Sequence, residues 1–174
     1  MKNGTDMTDV LKGFYKIAVN YNVQIQKMNG IRWIVILEKD FEHLILGITN
    51  AGQWLFKDGE KYYILINKKI FLYCAKLLEI PYEEISKDME ERFEEIIKNE
   101  KISLSVIFPY FQIVEFAFGN LMNDYWFELA WAWYENFELS ERKKLISQLE
   151  NLSEIKKISQ KNRQKVIKEI KRIG

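Results

Sequence analysis

Hydrophobic residues recur with a helical period at the start of the chain. Between Asp6 and Tyr21 the apolar positions lie three and four residues apart, which predicts an amphipathic helix capped by Thr5, Asp6 or Thr8. The predicted core stripe of this helix consists of Val10, Phe14, Ile17, Ala18 and Tyr21. Such a stripe needs a second hydrophobic surface to pack against.

The period changes to two between Val23 and Asn67, which indicates β-strands. One predicted strand places Ile31, Trp33, Val35 and Leu37 on a single face, and the next does the same with Leu44, Leu46 and Ile48. Turn sequences separate the strands at Asn29-Gly30, Lys39-Asp40, Asn50-Ala51-Gly52 and Asp58-Gly59. Because Asn-Gly and Asp-Gly tolerate the positive φ angles of type I′ hairpins, they predict tight antiparallel connections.

Helical spacing returns after Asn67, with Pro81 separating two segments. The first stripe is Phe71, Cys74, Leu77 and Leu78, and the second is Ile85, Met89, Phe93, Ile96 and Ile97. Proline is favoured at the start of a helix, so we expect Pro81 to open the second segment. The run Ile102 to Phe108 fits either a strand or an extended linker.

Beyond Pro109 the pattern predicts helices to the end of the chain, including one helix around 125–137 that is apolar on most sides. Ser140 and Ser153 are the expected starts of the last two helices. Their apolar stripes are Leu145, Leu149 and Leu152, then Ile155, Ile158, Val166, Ile170 and Ile173.

The predicted fold class is therefore α+β: an N-terminal helix, an antiparallel β-meander of four or five strands, and a C-terminal helical bundle. We expect a single domain over residues 1–174, in which 1–67 form the helix and meander and 68–174 are mainly helical. The chain has 174 residues, ordinary for one domain, and contains no repeat and no linker rich in glycine, serine or proline.

Composition favours a cytoplasmic protein. Hydrophobic residues make up 48% of the chain, the single cysteine excludes an intrachain disulfide, and the N-terminus lacks the pattern of a secretory signal. The densest apolar region, Val106 to Trp133, contains three carboxylates, which would be costly in a membrane. We expect no membrane association.

Charge is distributed unevenly along the chain, although the total is 26 basic against 25 acidic residues. Residues 1–139 carry a net charge of −6, and residues 140–174 carry +7. The negative charge is concentrated between Glu79 and Glu100, where nine acids face only Lys87, Arg92 and Lys98.

The acidic segment has three interpretations. It is a solvated helix face with the pairs Glu83–Lys87, Asp88–Arg92 and Glu94–Lys98, a docking face for a cationic partner, or, least favoured, a metal site. The candidate partner-binding residues are Glu83, Glu84, Asp88, Glu90, Glu91, Glu94 and Glu95.

The basic end of the chain has parallel interpretations: a surface helix, a helix that pairs with the acidic one, a nucleic-acid-binding helix or a membrane-surface helix. Candidate nucleic-acid-binding residues are Lys156, Lys157, Lys161, Arg163, Lys165, Lys168, Lys171 and Arg172. Asn162 and Gln164 are weak candidates for base contacts.

No catalytic, cofactor or structural metal motif is recognisable. Histidine occurs only at His43 and cysteine only at Cys74, which excludes a zinc site of the usual ligand number. Neither glycine-rich nucleotide-binding pattern is present. Paired carboxylates among Glu115, Asp124 and Glu128 are the remaining candidates for acid–base catalysis, if the aromatic surroundings raise their pKa values.

Aromatic residues crowd two neighbouring stretches, and the first interpretation is a hydrophobic core. An exposed recognition patch and a small-molecule pocket are the alternatives. The aromatic residues are Phe108, Tyr110, Phe111, Phe116, Phe118, Tyr125, Trp126, Phe127, Trp131, Trp133, Tyr134 and Phe137.

These observations favour a non-enzymatic, cytoplasmic protein-binding module without a cofactor. Its expected form is a bacterial immunity protein or antitoxin whose acidic surface occludes a basic toxin such as a nuclease, because occlusion requires only a complementary surface. The alternative is a phage or regulatory protein that binds nucleic acid through the basic C-terminal helix.

Overall fold

The computed structural model describes residues 7–21, 23–39, 44–65, 71–96, 108–121 and 123–174. It confirms an α+β fold with an N-terminal helix, an antiparallel sheet and a C-terminal helical region. The first half comprises α1 (Met7–Asn20), β1 (Ile25–Met28), β2 (Ile31–Lys39), β3 (Leu44–Thr49), β4 (Trp54–Asp58) and β5 (Lys61–Ile64). The second half comprises α2 (Phe71–Cys74), a 3₁₀ helix (Ala75–Glu79), α3 (Tyr82–Ile96), α4 (Tyr110–Asn120), α5 (Asp124–Tyr134), α6 (Leu139–Lys144), α7 (Ile146–Glu154) and α8 (Gln160–Ile173).

The chain divides into two compact units. Unit 1 contains residues 1–73 and 83–108, and unit 2 contains residues 74–82 and 109–174. The acidic helix α3 therefore belongs, apart from its first residue, to the same unit as the sheet. The prediction of one domain over residues 1–174 stays a prediction.

The strands of unit 1 follow one another in sequence order, β1 to β5, and all neighbouring strands are antiparallel. This is the predicted meander, and in the described part of the chain it has five strands. The Asn29-Gly30 turn has positive φ at both residues, as a type I′ hairpin requires. At the predicted Asp58-Gly59 turn only Gly59 has positive φ, which is the pattern of a type II′ turn and differs from the expected type I′ turn.

A β-bulge in β2 contradicts the prediction that Ile31, Trp33, Val35 and Leu37 lie on one face of the strand. The register shifts between Val35 and Leu37, so Val35 lies opposite Gly47 whereas Leu37 lies opposite Leu46. The extra residue moves Leu37 onto the face opposite Trp33 and Val35, because side chains alternate along a strand. Trp33, Val35 and Leu37 therefore do not share a face as predicted.

Helices α1 and α3 contribute to the core of unit 1. The rings of Phe14 in α1 and Phe93 in α3 are tilted by 39° with their centroids 4.4 Å apart, and the Trp54 ring of β4 lies 6.5 Å from that of Phe93. The buried face of α1 consists of Leu11, Phe14, Tyr15 and Ala18. The observed buried face of α1 is therefore rotated about the helix axis relative to the predicted stripe. Val10 and Ile17 are only half-buried, and Tyr21 is 55% exposed.

Unit 2 is a helical assembly in which α4 packs against α5 and α7, and α8 packs against α6 and α7. Aromatic side chains fill its core, and the Trp133 indole nitrogen donates a hydrogen bond to the Ile80 carbonyl at 2.9 Å. As predicted, Leu145, Leu149 and Leu152 are buried.

Two predicted helix starts, Ser140 and Ser153, are wrong, and the predicted cap of α1 lies partly outside the described residues. Thr8 lies inside α1, and the alternative caps Thr5 and Asp6 lie outside the described residues. Helix α6 begins at Leu139 after Glu138, which places Ser140 inside the helix. Helix α8 is capped by Ser159 instead of Ser153, because the Ser159 hydroxyl accepts a hydrogen bond from the Asn162 amide.

Candidate functional site

Helix α3 presents one apolar and one acidic face. Ile85, Met89, Phe93 and Ile96 are buried, as the predicted stripe requires, while Ile97 lies outside the described residues. The seven candidate acids of α3 are opposed within the helix by Lys87 and Arg92, which leaves five net negative charges. All seven are exposed except Asp88, which is half-buried.

Lys39, at the end of β2, neutralises part of this acidic surface. Its Nζ donates hydrogen bonds to Glu84 at 2.6 Å and to Asp88 at 2.5 Å, and its side chain is only 14% exposed. Partial burial lowers the pKa of Lys39, but the hydrogen bonds and charges of Asp88 and Glu84 outweigh burial and raise it overall. Lys39 is therefore a cation that ties the acidic helix to the sheet.

The helix cations pair with different acids from those predicted. Lys87 lies 3.8 Å from Glu91, and Arg92 lies 2.8 Å from Glu95. The predicted pairs Glu83–Lys87 and Asp88–Arg92 are therefore wrong. Lys87 and Arg92 pair with other acids of the same helix, and Asp88 pairs with Lys39 of β2. The pair Glu94–Lys98 lies partly outside the described residues.

Three acids of α3 remain without a basic partner among the residues that the structure describes: Glu83, Glu90 and Glu94. They are exposed and stand seven and four residues apart, so they form a row along one side of the helix. We call Glu83, Glu90 and Glu94 the acidic row. At a rise of about 1.5 Å per residue it extends for about 16 Å.

The basic residues of the C-terminal segment fall into two groups. Three of them stabilise unit 2: Arg163 donates to the carbonyls of Ile155 and Ile158, Lys165 lies 3.7 Å from Glu135, and Arg172 binds Glu169. Lys165 also lies over the Trp131 ring, 4.7 Å from its centroid. Arg163, Lys165 and Arg172 therefore have partners within unit 2, although the sequence predicts all three as candidates for binding nucleic acid.

The other five, Lys156, Lys157, Lys161, Lys168 and Lys171, are exposed and have no acidic partner within the described ranges. Lys156 and Lys157 lie in the turn before α8. Lys161, Lys168 and Lys171 are spaced by seven and three residues along α8, which places them on one side of it. We call these five residues the lysine face.

The carboxylates considered for catalysis are Asp124, Glu115 and Glu128, and the structure places each of them in a hydrogen-bonded or exposed position. Asp124 Oδ1 accepts hydrogen bonds at 2.8 Å from the Ser159 backbone amide and from the Asn162 side chain. These bonds lower the pKa of Asp124, in that order of importance, which is opposite to the rise that a general acid at neutral pH requires. Glu115 accepts a hydrogen bond from Gln148 at 3.2 Å, and Glu128 is exposed.

The charge cluster around the buried Glu169 carboxylate has no signal in the sequence. This carboxylate accepts hydrogen bonds from Arg172 at 2.6 and 2.7 Å and from the Tyr134 hydroxyl at 2.9 Å, with Arg142 at 3.5 Å. Arg172 lowers the pKa of Glu169, and Tyr134 contributes in the same direction, against the opposing effect of burial. Burial, followed by the Glu169 hydrogen bond, raises the pKa of Tyr134.

Most of the predicted aromatic cluster is core. Phe127, Trp131, Trp133 and Tyr134 are buried, whereas Tyr125 is 55% exposed. Tyr125 donates a hydrogen bond to Glu79 and meets the Trp126 ring edge-on at 5.0 Å. The exposed part of the α5 aromatics is thus small.

The remaining candidates from the sequence are His43 and Cys74, and the described residues show no catalytic or metal site around Cys74. His43 lies outside the described residues. Cys74 is buried, as expected, and burial raises the pKa of its thiol, which favours the unreactive protonated form. Within the described ranges no three of the side chains His, Cys, Asp and Glu come together in a manner that could hold a metal ion.

Comparisons with known proteins give no relative from which to transfer a role. No protein-family model matches the chain, and neither a curated protein nor a solved structure matches it significantly. None of the helices in the described ranges has the length and apolar character needed to cross a membrane.

Proposed function

We propose that this chain is a non-enzymatic, cytoplasmic protein-binding module that uses the acidic surface of α3 to bind and occlude a basic protein. A bacterial immunity protein or antitoxin that masks a basic toxin, such as a nuclease, is the form of this function that fits best. The observation that carries the proposal is the acidic row, three exposed carboxylates without a basic partner among the described residues.

The geometry of α3 favours docking over a purely solvated surface. The apolar face of α3 is buried, and Lys39 donates hydrogen bonds to Glu84 and Asp88 on another side of the helix. The acidic row therefore lies on a helix whose position is fixed by these contacts. A fixed array of like charges attracts a cationic partner from a distance and raises the association rate, whereas mobile side chains on a loose helix would first have to be ordered.

We infer that three of the seven candidate acids provide most of the attraction for a partner. Glu84 and Asp88 share the charge of Lys39, and Glu91 and Glu95 have helix cations beside them. Electrostatic attraction for a partner therefore falls mainly to Glu83, Glu90 and Glu94. The other four acids surround this row and contribute less.

The first experiment is capture of the partner on the immobilised full chain from lysate of the source cell, treated with nuclease to remove bridging nucleic acid. The purified partner is then measured against two variants of equal charge. The test variant is E83Q/E90Q/E94Q, and the control is E128Q/E150Q/E154Q, which removes three exposed carboxylates of unit 2.

We expect the test variant to associate at least about tenfold more slowly at low salt, while the control keeps the wild-type rate. The difference should shrink as salt screens the charges. A partner without excess positive charge, or equal rates for the two variants, would contradict the proposal. Inhibition of the partner's toxicity by the wild type alone would support the antitoxin form.

A further inference from the structure

The basic end of the chain supports a second activity in unit 2. We propose that the lysine face binds the phosphate backbone of nucleic acid, independently of base sequence. Lys161, Lys168 and Lys171 form its centre on α8, and Lys156 and Lys157 lie in the turn that leads into the helix. Their charges are exposed and lack acidic partners in the part of the chain that the structure describes.

The dimensions of the lysine face suit a polymer of phosphates. The axial distance from Lys161 to Lys171, ten residue steps along the helix, is about 15 Å. Duplex DNA carries one negative charge per about 1.7 Å of its axis, so a duplex segment of this length carries about nine phosphate charges on its two strands. A single small anion could meet only part of such a row.

The opposite face of α8 argues against a membrane surface as the ligand. Val166 and Ile173 are buried in unit 2, with exposures of 0% and 2%. An interfacial helix inserts its apolar face between lipids, and this face of α8 is already occupied. The predicted membrane alternative therefore lacks the apolar surface that it needs.

Only one of the two side chains considered for base contacts, Gln164, is exposed on this helix. Asn162, one of the two predicted base-contact residues, is 2% exposed and donates its amide to Asp124. The N-terminus of α8 is occupied by Ser159 and Asp124. The exposed cations without an acidic partner in the described ranges are lysines, which bind phosphate as point charges, whereas Arg163 and Arg172 bind groups of unit 2.

The test is fluorescence anisotropy of the full chain with a labelled mixed-sequence DNA duplex and, separately, a labelled single-stranded RNA. Five phosphate contacts on the duplex predict a slope of log K against log salt of about −4.5. Affinity should then fall about 500-fold between about 50 and 200 mM salt. The RNA arm shows whether single strands share the site, with a shallower slope of about −3.5.

The variant K161Q/K168Q/K171Q should reduce the duplex slope by about three and bind more weakly at all salt concentrations. Its matched control is K16Q/K27Q/K61Q, which removes three exposed lysines of unit 1 and should bind as the wild type does. Circular dichroism and urea unfolding check that both variants are folded.

Two results would overturn this inference: no binding by the wild type at about 50 mM salt with about 100 µM protein, or equal losses in the two lysine variants. Failure here is separable from failure of the proposed function, because E83Q/E90Q/E94Q leaves the lysine face intact. That variant should bind nucleic acid at least as tightly as the wild type does, since it removes negative charge.

Discussion

Lys39, at the end of strand β2, donates a hydrogen bond of 2.5 Å to Asp88, 49 residues later on helix α3. Glu84, one turn earlier on the helix, accepts a second bond from the same ammonium group. The sheet thus supplies the counter-charge for one side of the acidic helix. The acidic row Glu83, Glu90 and Glu94 has no such counter-charge among the described residues.

Replacing Lys39 with methionine should destabilise the protein by about 1 kcal/mol, because both acids lose a partly buried partner while the apolar stem is kept. Urea unfolding at neutral pH measures the change. K87M is the matched control, since Lys87 and Glu91 are 73% and 64% exposed and their pair should contribute almost nothing. An equal effect of both substitutions would contradict the role assigned to Lys39.

The stabilisation that Lys39 provides through Asp88 and Glu84 is expected only in a defined pH range. The pKa of Lys39 is raised above its ordinary value of 10.5, so the stabilisation is fully present below that value and is lost as the pH rises through the higher folded pKa. We expect the stability difference between wild type and K39M to be constant from neutral pH to about pH 10 and to shrink above it. Unfolding curves across this range test the sign.

Gly47 of β3 cannot be replaced without disturbing Trp33. A Cβ at this position would lie 2.3 Å from Trp33 Cε3 and 2.6 Å from the Ile34 carbonyl oxygen. We expect G47A to lower the free energy of unfolding by about 1–3 kcal/mol through overpacking. In G13A, the control, a Cβ meets nothing within 4 Å on helix α1, so this substitution should stabilise by up to about 1 kcal/mol.

Glu169 should make the stability of the protein sensitive to acid. Because its pKa is lowered in the folded state, the stabilisation is present above the ordinary pKa of 4.5 and is lost as the pH falls through the folded value. E169Q should cost about 2–3 kcal/mol at neutral pH, since it leaves Arg172 and Arg142 without their anion. The deficit relative to the wild type should shrink below about pH 4.

Unfolding of wild type, E169Q and the exposed control E150Q between pH 3 and pH 7 tests this dependence. E150Q should follow the wild type throughout. A constant deficit of E169Q over the whole range would show that the glutamine disturbs packing and that the charge of Glu169 is not the cause.

Two side-chain caps should each stabilise the helix that they begin. Asn123 accepts from the Trp126 amide at 3.1 Å, and Ser159 accepts from the Asn162 amide at 3.3 Å. N123A and S159A should each cost about 0.5–2 kcal/mol, as measured by thermal unfolding. S140A is the control, because Ser140 was predicted to cap a helix but lies inside α6 in the structure. A cost for S140A equal to that of S159A would contradict the assigned cap.

The sequence by itself determined the fold class and, in α3, which residues form the buried face. Ile85, Met89 and Phe93 are spaced so that only one face of a helix can contain them, and the structure buries all three. The Asn29-Gly30 pair similarly determined a hairpin, because few other dipeptides adopt positive φ at both residues. These are local properties that periodicity and backbone sterics express directly.

Tertiary structure decided which charges are paired. Lys39 and Asp88 are far apart in the sequence, and the bulge that re-aims the end of β2 has no clear sequence signal. Likewise, Arg172 lies among exposed lysines in the sequence yet binds Glu169, because α8 packs against neighbouring helices and buries that carboxylate. Counting charges along the chain located the acidic and basic helices. Only packing distinguished the acidic row and the lysine face from the charged residues that form ion pairs inside each unit.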